Sequence, residues 1–222
     1  PSLKSFSAGV ESRLEKLSKI QIELCDILDH IADSYLAEER FLPKKLSVKT
    51  LNSSKDILRP YILRKALIDS GFPVPGEKKL EAIISQMVEA KEDANPRVKI
   101  GNHELGRYDG YIYLIGSPQE NLVNNETFEW DPIESFRLPW GCLSIGETAE
   151  FGISERFFED RKFTIKFRRG GERFWPSNRD KSNELKKLFQ EWRVPPWERG
   201  LTPLIYYGDE LIAVAGLGIS RK

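Results

Sequence analysis

The stretch Glu184-Leu185-Lys186-Lys187-Leu188-Phe189-Gln190-Glu191-Trp192-Arg193-Val194-Pro195-Pro196-Trp197-Glu198-Arg199 decides how the C-terminal half folds. Leu185, Leu188, Phe189 and Trp192 recur at spacings of three and four, which places them on one face of a helix. Lys186 and Lys187 fall on the other face. The spacing predicts a helix from about Ser182 to Trp192. Pro195-Pro196 ends it and stiffens the turn that carries Trp197 and Arg199. Immediately upstream stands Lys166-Phe167-Arg168-Arg169-Gly170-Gly171-Glu172-Arg173-Phe174-Trp175. Alternation in Lys166-Phe167-Arg168 puts cations on one face of a strand. Gly170-Gly171 permits positive φ and close approach of another backbone or a phosphate. Ser177, Asn178 and Ser182 are expected to supply neutral donors and to cap the helix start, where free N–H groups favour anions.

Around this pair of segments the pattern is strand-like. Phe128–Trp130, Ser135–Leu138, Cys142–Ser144, Phe163–Phe167, Leu204–Tyr207 and Leu211–Leu217 read as strands, and Gly208-Asp209 turns the last two into a hairpin. Residues 117–125 are polar and non-periodic, and the domain boundary is placed there. Before it the period is helical. Val10, Leu14, Leu17, Leu24, Leu28, Ile31 and Tyr35 form a heptad-like stripe on a helix from about 8 to 40, with Gln21 in one slot and Pro43 as the stop. Ile20, Ile22 and Ile27 widen the stripe, which predicts burial in a packed bundle. A second helix, capped by Ser53 or Ser54, runs through Ile57, Leu58, Tyr61, Ile62 and Leu67 to Gly71. A third runs from Pro75-Gly76 through Leu80, Ile83, Ile84, Met87 and Val88. Val98–Ile100 and Tyr111–Leu114 follow as strands, with turns at Gly101-Asn102 and Asp109-Gly110. The expected fold class is α+β: a mainly helical domain over 1–116, then a smaller mixed domain with an antiparallel sheet over 117–222.

Composition bounds the function. The chain has 222 residues, 40% hydrophobic and 11% aromatic, enough for a real core. Its apolar runs are too short to span a bilayer, and no secretory leader opens it, so a membrane role is not expected. Two cysteines, Cys25 and Cys142, fit no metal spacing and point to a reducing cytoplasm. The start at Pro1 and a lone methionine, Met87, read as a fragment or processed chain.

The 34 basic and 34 acidic groups cancel, but not evenly. Residues 117–160 hold 2 basic and 10 acidic groups, and residues 161–199 hold 12 and 5, a local +7. Cations interleaved with aromatics fit a nucleic-acid face, where Lys and Arg neutralise phosphates. The acidic stretch scatters its carboxylates over several strands and fits a solvated counterweight. No phosphate-binding glycine loop, zinc spacing or nucleophile–base constellation occurs, so no catalytic residue and no metal site is assigned. His30 and His103 are the only neutral-pH bases, and neither has a positioned partner.

Three strings carry a family resemblance. Arg168-x-Gly170-Gly171-Glu172, Leu185 to Glu191, and Val194-Pro195-Pro196-Trp197-x-Arg199 followed by Pro203-Leu204 look like the C-terminal domain of bacterial tRNA(Ile)-lysidine synthetases. Leu105-Gly106-Arg107-Tyr108-x-Gly110-x-Ile112-Tyr113-Leu114, ending a run of three helices, resembles that family's middle, substrate-binding domain. Two positions depart from the family pattern: Arg193, where glycine is common, and Phe174-Trp175, where smaller or more polar residues are usual. The resemblance implies a parent ligase that uses ATP, with magnesium, to join lysine to the wobble cytidine of isoleucine tRNA. It also implies that an ATP domain with a Ser-Gly-Gly-x-Asp-Ser loop is absent here, so this chain alone would be inactive and hold no cofactor. On it, tRNA contact maps to Arg168, Arg169, Arg173, Lys186, Lys187 and Arg199. Gly170, Gly171, Glu172, Pro195, Pro196 and Trp197 map to structure, with Glu172 orienting an arginine. The alternative is a protein-interaction or homodimer-forming module that uses the stripe on the helix at 8–40.

Overall fold

The computed structural model describes residues 3–37, 44–91, 94–116, 126–146, 152–158 and 162–221. The chain forms two compact units, Pro1–Pro118 and Gln119–Lys222. The polar stretch 117–125 lies outside the described residues, as does Pro43. Helices dominate the first unit and antiparallel sheets the second, an α+β fold.

The first unit opens with helix α1, Leu3–Leu36. Strand β1 (Lys45–Ser47) leads directly into α2 (Val48–Ser53), whose start is capped by the Ser47 hydroxyl accepting from Lys49 N. A single 3-10 turn, Asp56–Leu58, precedes α3 (Arg59–Asp69), and α4 spans Glu77–Val88. Pro60 sits in the first turn of α3, where its missing N–H costs nothing. Strands β2 (Arg97–Ile100), β3 (His103–Tyr108) and β4 (Tyr111–Ile115) make a meander, and β1 joins its edge in the order β1-β4-β3-β2. One core unites the elements: Leu46, Leu51, Ile62, Leu63, Leu67, Leu80, Ile83, Met87, Leu105 and Ile112 are all buried in it.

Several expectations change. The second helix does not start at Ser53 or Ser54. Ser54 closes α2 instead, its hydroxyl donating to Leu51 O, and the chain re-forms a helix only after the 3-10 turn. Strands β1 and β3 carry no alternating apolar signal and are absent from the sequence reading. In β3 the buried run is Leu105-Gly106-Arg107, and a buried arginine hides a central strand from any hydrophobicity pattern. His103, next to the expected turn at Gly101-Asn102, begins that strand, and its ring centre lies 4.6 Å from that of Phe72.

The largest difference concerns α1. Among its described side chains only those of the C-terminal end, with Ala32 buried and Tyr35 and Leu36 packed alongside, join the core. Val10, Leu14, Leu17, Ile20, Ile22, Leu24 and Ile27 stand 43–61% exposed, so the expected bundle does not form over them. Length explains this. A 34-residue helix is about 51 Å long, whereas the 11 residues of α3, its main partner, cover about 16 Å.

Arg107 ties the sheet to the helices. Its Nη1 donates to Met87 O at 2.7 Å and Ala90 O at 2.8 Å, satisfying carbonyls at the end of α4 that have no partner within the helix. Arg107→Met should lower unfolding stability by about 2–3 kcal/mol in denaturant titration, because those carbonyls stay buried without a donor. A loss under about 0.5 kcal/mol would contradict this role.

In the second unit β5 (Thr127–Trp130), β8 (Phe163–Lys166), β11 (Leu204–Tyr207), β12 (Glu210–Val214) and β13 (Gly218–Ile219) form an antiparallel sheet ordered β13-β12-β11-β8-β5. The expected strand Leu211–Leu217 ends at Val214, because the chain turns through 215–217 before β13. The hairpin of β6 (Phe136–Leu138) and β7 (Gly141–Leu143) contributes Phe136, Leu138 and Leu143 to a core with Trp130, Phe163, Ile165 and Phe167. A second core unites Leu204, Leu211 and Val214 with α5 (Leu185–Glu191) through Leu185, Leu188 and Phe189.

Candidate nucleic-acid interface

Alternation along β8 turns Phe163 and Ile165 inward and sends Lys166 to the opposite face. There its Nζ lies 4.5 Å from the ring centre of Tyr206, a cation–π contact across to β11. Tyr206 was not singled out from the sequence. The alternation in Leu204–Tyr207, combined with an antiparallel pairing to Phe163–Lys166, is the signal that finds it.

Beyond β8 the chain enters the loop 168–172. Gly170 and Gly171 both take positive φ, 107° and 84°, as the sequence predicts. The close approach they permit is filled from within. Glu172 Oε1 accepts from Gly170 N at 2.8 Å and from Arg169 N. Its Oε2 lies 3.9 Å from Arg168 Nε, so one carboxylate both closes the loop and holds an arginine. Arg169 itself is exposed. Burial pushes the Tyr206 hydroxyl above its ordinary pKa, the Glu172 charge pushes it the same way, and Arg169 opposes both. Lys166, Arg168, Arg169, Glu172 and Tyr206 therefore form one electrostatic cluster.

The main chain joins this cluster to the helix. Strands β9 (Arg173–Phe174) and β10 (Asn183–Glu184) pair antiparallel, and Leu185 N donates to Glu172 O at 2.9 Å. The first three residues of the expected helix 182–192 are drawn away by this pairing, which is why α5 starts at Leu185. Ser182 is no cap. It receives Arg173 Nη2 on its carbonyl (2.9 Å) and hydroxyl (3.1 Å), and Glu184 occupies the cap position without a side-chain bond. Arg173 thus closes the β9–β10 connection and, though exposed, is positioned by it.

Lys186 and Lys187 project from α5 to solvent, one and two residues past the bond to Glu172. Arg199 lies at the other end of α5, where its Nε donates to Val194 O at 2.8 Å. Pro195 and Trp197 are buried beneath that turn and Pro196 is exposed. Arg179 pairs with Glu191, which removes one acidic group from the α5 surface. Of the six cations named from sequence, Arg168, Arg169, Arg173, Lys186 and Lys187 are linked through Glu172 and its neighbours, and Arg199 anchors the far turn. Among the described residues no group of three or more His, Cys, Asp or Glu could hold a metal ion. No helix among them is long and apolar enough to cross a membrane.

Comparison with known proteins matches the two units separately. Residues 163–222 fit the model of the TilS substrate C-terminal domain, and residues 46–113 that of the TilS substrate binding domain. The chain is 33% identical to a tRNA(Ile)-lysidine synthase of Coxiella burnetii over 201 residues, covering 85% of the chain and 44% of that protein. It is 32% identical to one of Salmonella choleraesuis and 28% identical to one of an Enterobacter species, covering 88% of the chain and 45% of each relative. The chain belongs to the tRNA(Ile)-lysidine synthase family. It spans somewhat under half the length of these relatives. The C-terminal domain of the family begins at Phe163, the first residue of β8, and so contains the entire basic loop and α5. The exposed part of α1 lies outside both matched domains.

Two outcomes follow for this lysidine synthase domain. Glu172→Gln should cost about 1–2 kcal/mol, since a neutral amide accepts less strongly and no longer attracts Arg168. Amide exchange should rise selectively at Arg169 and Gly170, and unchanged exchange there would refute the closing role of Glu172. Separately, a raised Tyr206 pKa contributes stability that is full below the tyrosine value of the unfolded chain and is lost as pH rises through the folded value. Stability should therefore fall in the alkaline range above about 10, and Tyr206→Phe should flatten that fall. Alkaline titration of tyrosinate absorbance checks it.

Proposed function

We propose that this chain is the tRNA-holding part of a ligase that uses ATP and magnesium to join lysine to the wobble cytidine of isoleucine tRNA. In this reading the second unit grips the tRNA body and acceptor stem, and the reacting groups come from a domain outside these two units. The chain alone then binds without catalysing, and it works in the cytoplasm, where tRNA is modified. The observation that carries the reading is the continuity of Lys186 and Lys187 with the Arg168–Glu172 loop, through the Leu185 N–Glu172 O bond, inside the matched C-terminal domain. Duplex RNA offers phosphates and 2′-hydroxyls across a shallow groove and is recognised largely by shape and charge. A rigid basic loop next to a helix bearing two exposed lysines supplies both.

Binding of an isoleucine tRNA transcript should weaken steeply with salt as counterions are released. Lys186→Ala with Lys187→Ala should lower the log–log salt slope by about two, one for each lost phosphate contact. Binding that ignores salt, or a double variant that matches the unaltered chain, would overturn the reading.

The exposed stripe of α1 supports a second role, antiparallel pairing with a second copy. Residues 13–19 carry three basic groups and one acidic, whereas residues 20–36 carry four acidic and none basic. In the antiparallel register that sets Leu14 opposite Leu24 and Leu17 opposite Gln21, residues 13–19 face 19–25, so the basic stretch meets only Glu23 of the acidic one and the apolar stripe carries the pairing. Sedimentation should show a dimer that Leu17→Glu with Leu24→Glu dissolves. A chain that stays monomeric at tens of micromolar rules this role out.

A further inference from the structure

We propose that Arg193 is a further RNA-contacting residue of the second unit, held in a strained backbone position for the sake of its charge; the inference rests on the tRNA-binding reading above. Helix α5 ends in a tight, doubly bonded cap. Val194 N donates to Phe189 O at 2.9 Å and Arg193 N to Gln190 O at 3.0 Å, and Val194 is buried in the same core as Phe189. This pattern requires a left-handed residue at the position after the cap, and glycine is its usual occupant because it has no Cβ to clash. The first unit follows that preference. At the end of α3, Phe72 N donates to Leu67 O and Gly71 N to Ile68 O, and Gly71 has φ +72°. At the end of α5 the same geometry is forced on Arg193, whose φ is +55°. Among the described residues only Lys44, Asp109 and Arg193 adopt positive φ without being glycine. Asp109 sits in a two-residue hairpin where aspartate is a normal occupant. A long cation is an uncommon occupant of a left-handed cap.

What the arginine gains is position. It follows the last turn of α5 on the exposed surface, about 10 Å along the axis from Lys186. It precedes the buried Val194-Pro195 turn that Arg199 fastens through Val194 O. Lys186, Lys187 and Arg193 thus line the outer side of one short helix, beside the 168–172 loop at one end and the proline turn at the other. A purely structural explanation exists, since a cation near a helix C-terminus is favourable. The two explanations predict opposite effects on stability.

Arg193→Gly should raise the unfolding midpoint by roughly 2–4 °C, because the strain is relieved. The same variant should bind an isoleucine tRNA transcript roughly two- to fivefold more weakly and lose about one unit of log–log salt slope. Arg193→Lys keeps both charge and strain, and should leave the slope and the midpoint near those of the unaltered chain. A lowered midpoint for Arg193→Gly would assign the arginine to the helix cap and overturn the inference. Unchanged affinity in Arg193→Gly, with a loss in the Lys186/Lys187 double variant, would overturn it while leaving the binding face intact. Absence of salt-dependent binding by the unaltered chain would overturn both.

Discussion

The carboxylate of Glu172 is the interaction on which the second unit's surface depends. A loop with two consecutive positive-φ glycines has high conformational entropy when unfolded and few side chains to hold it. Glu172 supplies the missing constraint: two backbone N–H groups converge on Oε1, and Arg168 is drawn to Oε2. Its own carbonyl receives Leu185 N, so the residue that closes the loop also sets where α5 begins. Loop and helix cannot shift independently. Under the proposed tRNA-binding role that coupling matters, because a rigid array of cations avoids much of the ordering cost that flexible lysines pay on binding.

The same carboxylate creates an electrostatic compromise. A glutamate within a basic face subtracts charge, and it pushes the Tyr206 hydroxyl toward its neutral form. The compensation is geometric. Arg168 is partly covered and held by Glu172, while Arg169 and the α5 lysines remain at the surface. Charges fixed in place differ from charges merely present. The +7 within 161–199 already counts the Arg179–Glu191 pair as zero, and Arg173 and Arg199 keep their charge while Ser182 and Val194 O fix where it stands.

What the sequence revealed tracks how local each determinant is. The apolar spacing of α4 and α5, the hairpin turn at Gly208-Asp209, the strands at 163 and 204 and the positive φ of Gly170-Gly171 are encoded within a few residues. The sequence therefore gives them nearly in place. Strand β3 is different: Arg107 is buried because carbonyls of α4, some twenty residues earlier in the chain, need a donor. No window of sequence contains that fact. The α5 boundary fails for a similar reason, since Asn183 and Glu184 are claimed by a two-residue strand pairing with Arg173 and Phe174. Among the candidate site residues the chemistry was legible and the assignments were not. Arginines could be named as cations, but which of them are committed to Ser182, Val194 or Glu172 is set by tertiary geometry.

Helix α1 shows the limit of periodicity from the other side. Its stripe is a correct statement about which side chains share a face, and it says nothing about whether this unit has anything long enough to cover that face. Burial of the last two turns secures the helix to the core through Ala32, Tyr35 and Leu36. Over the preceding turns the stripe from Val10 to Ile27 stands exposed, which leaves an apolar surface in water at a real free-energy cost. Covering such a surface is favourable in proportion to the apolar area removed from water. The exposed residues lie outside both matched domains, and the relatives are about twice as long as this chain. Among the described residues the stripe of α1 finds no cover within its own unit, whereas the basic loop and α5 are held together entirely within the second unit.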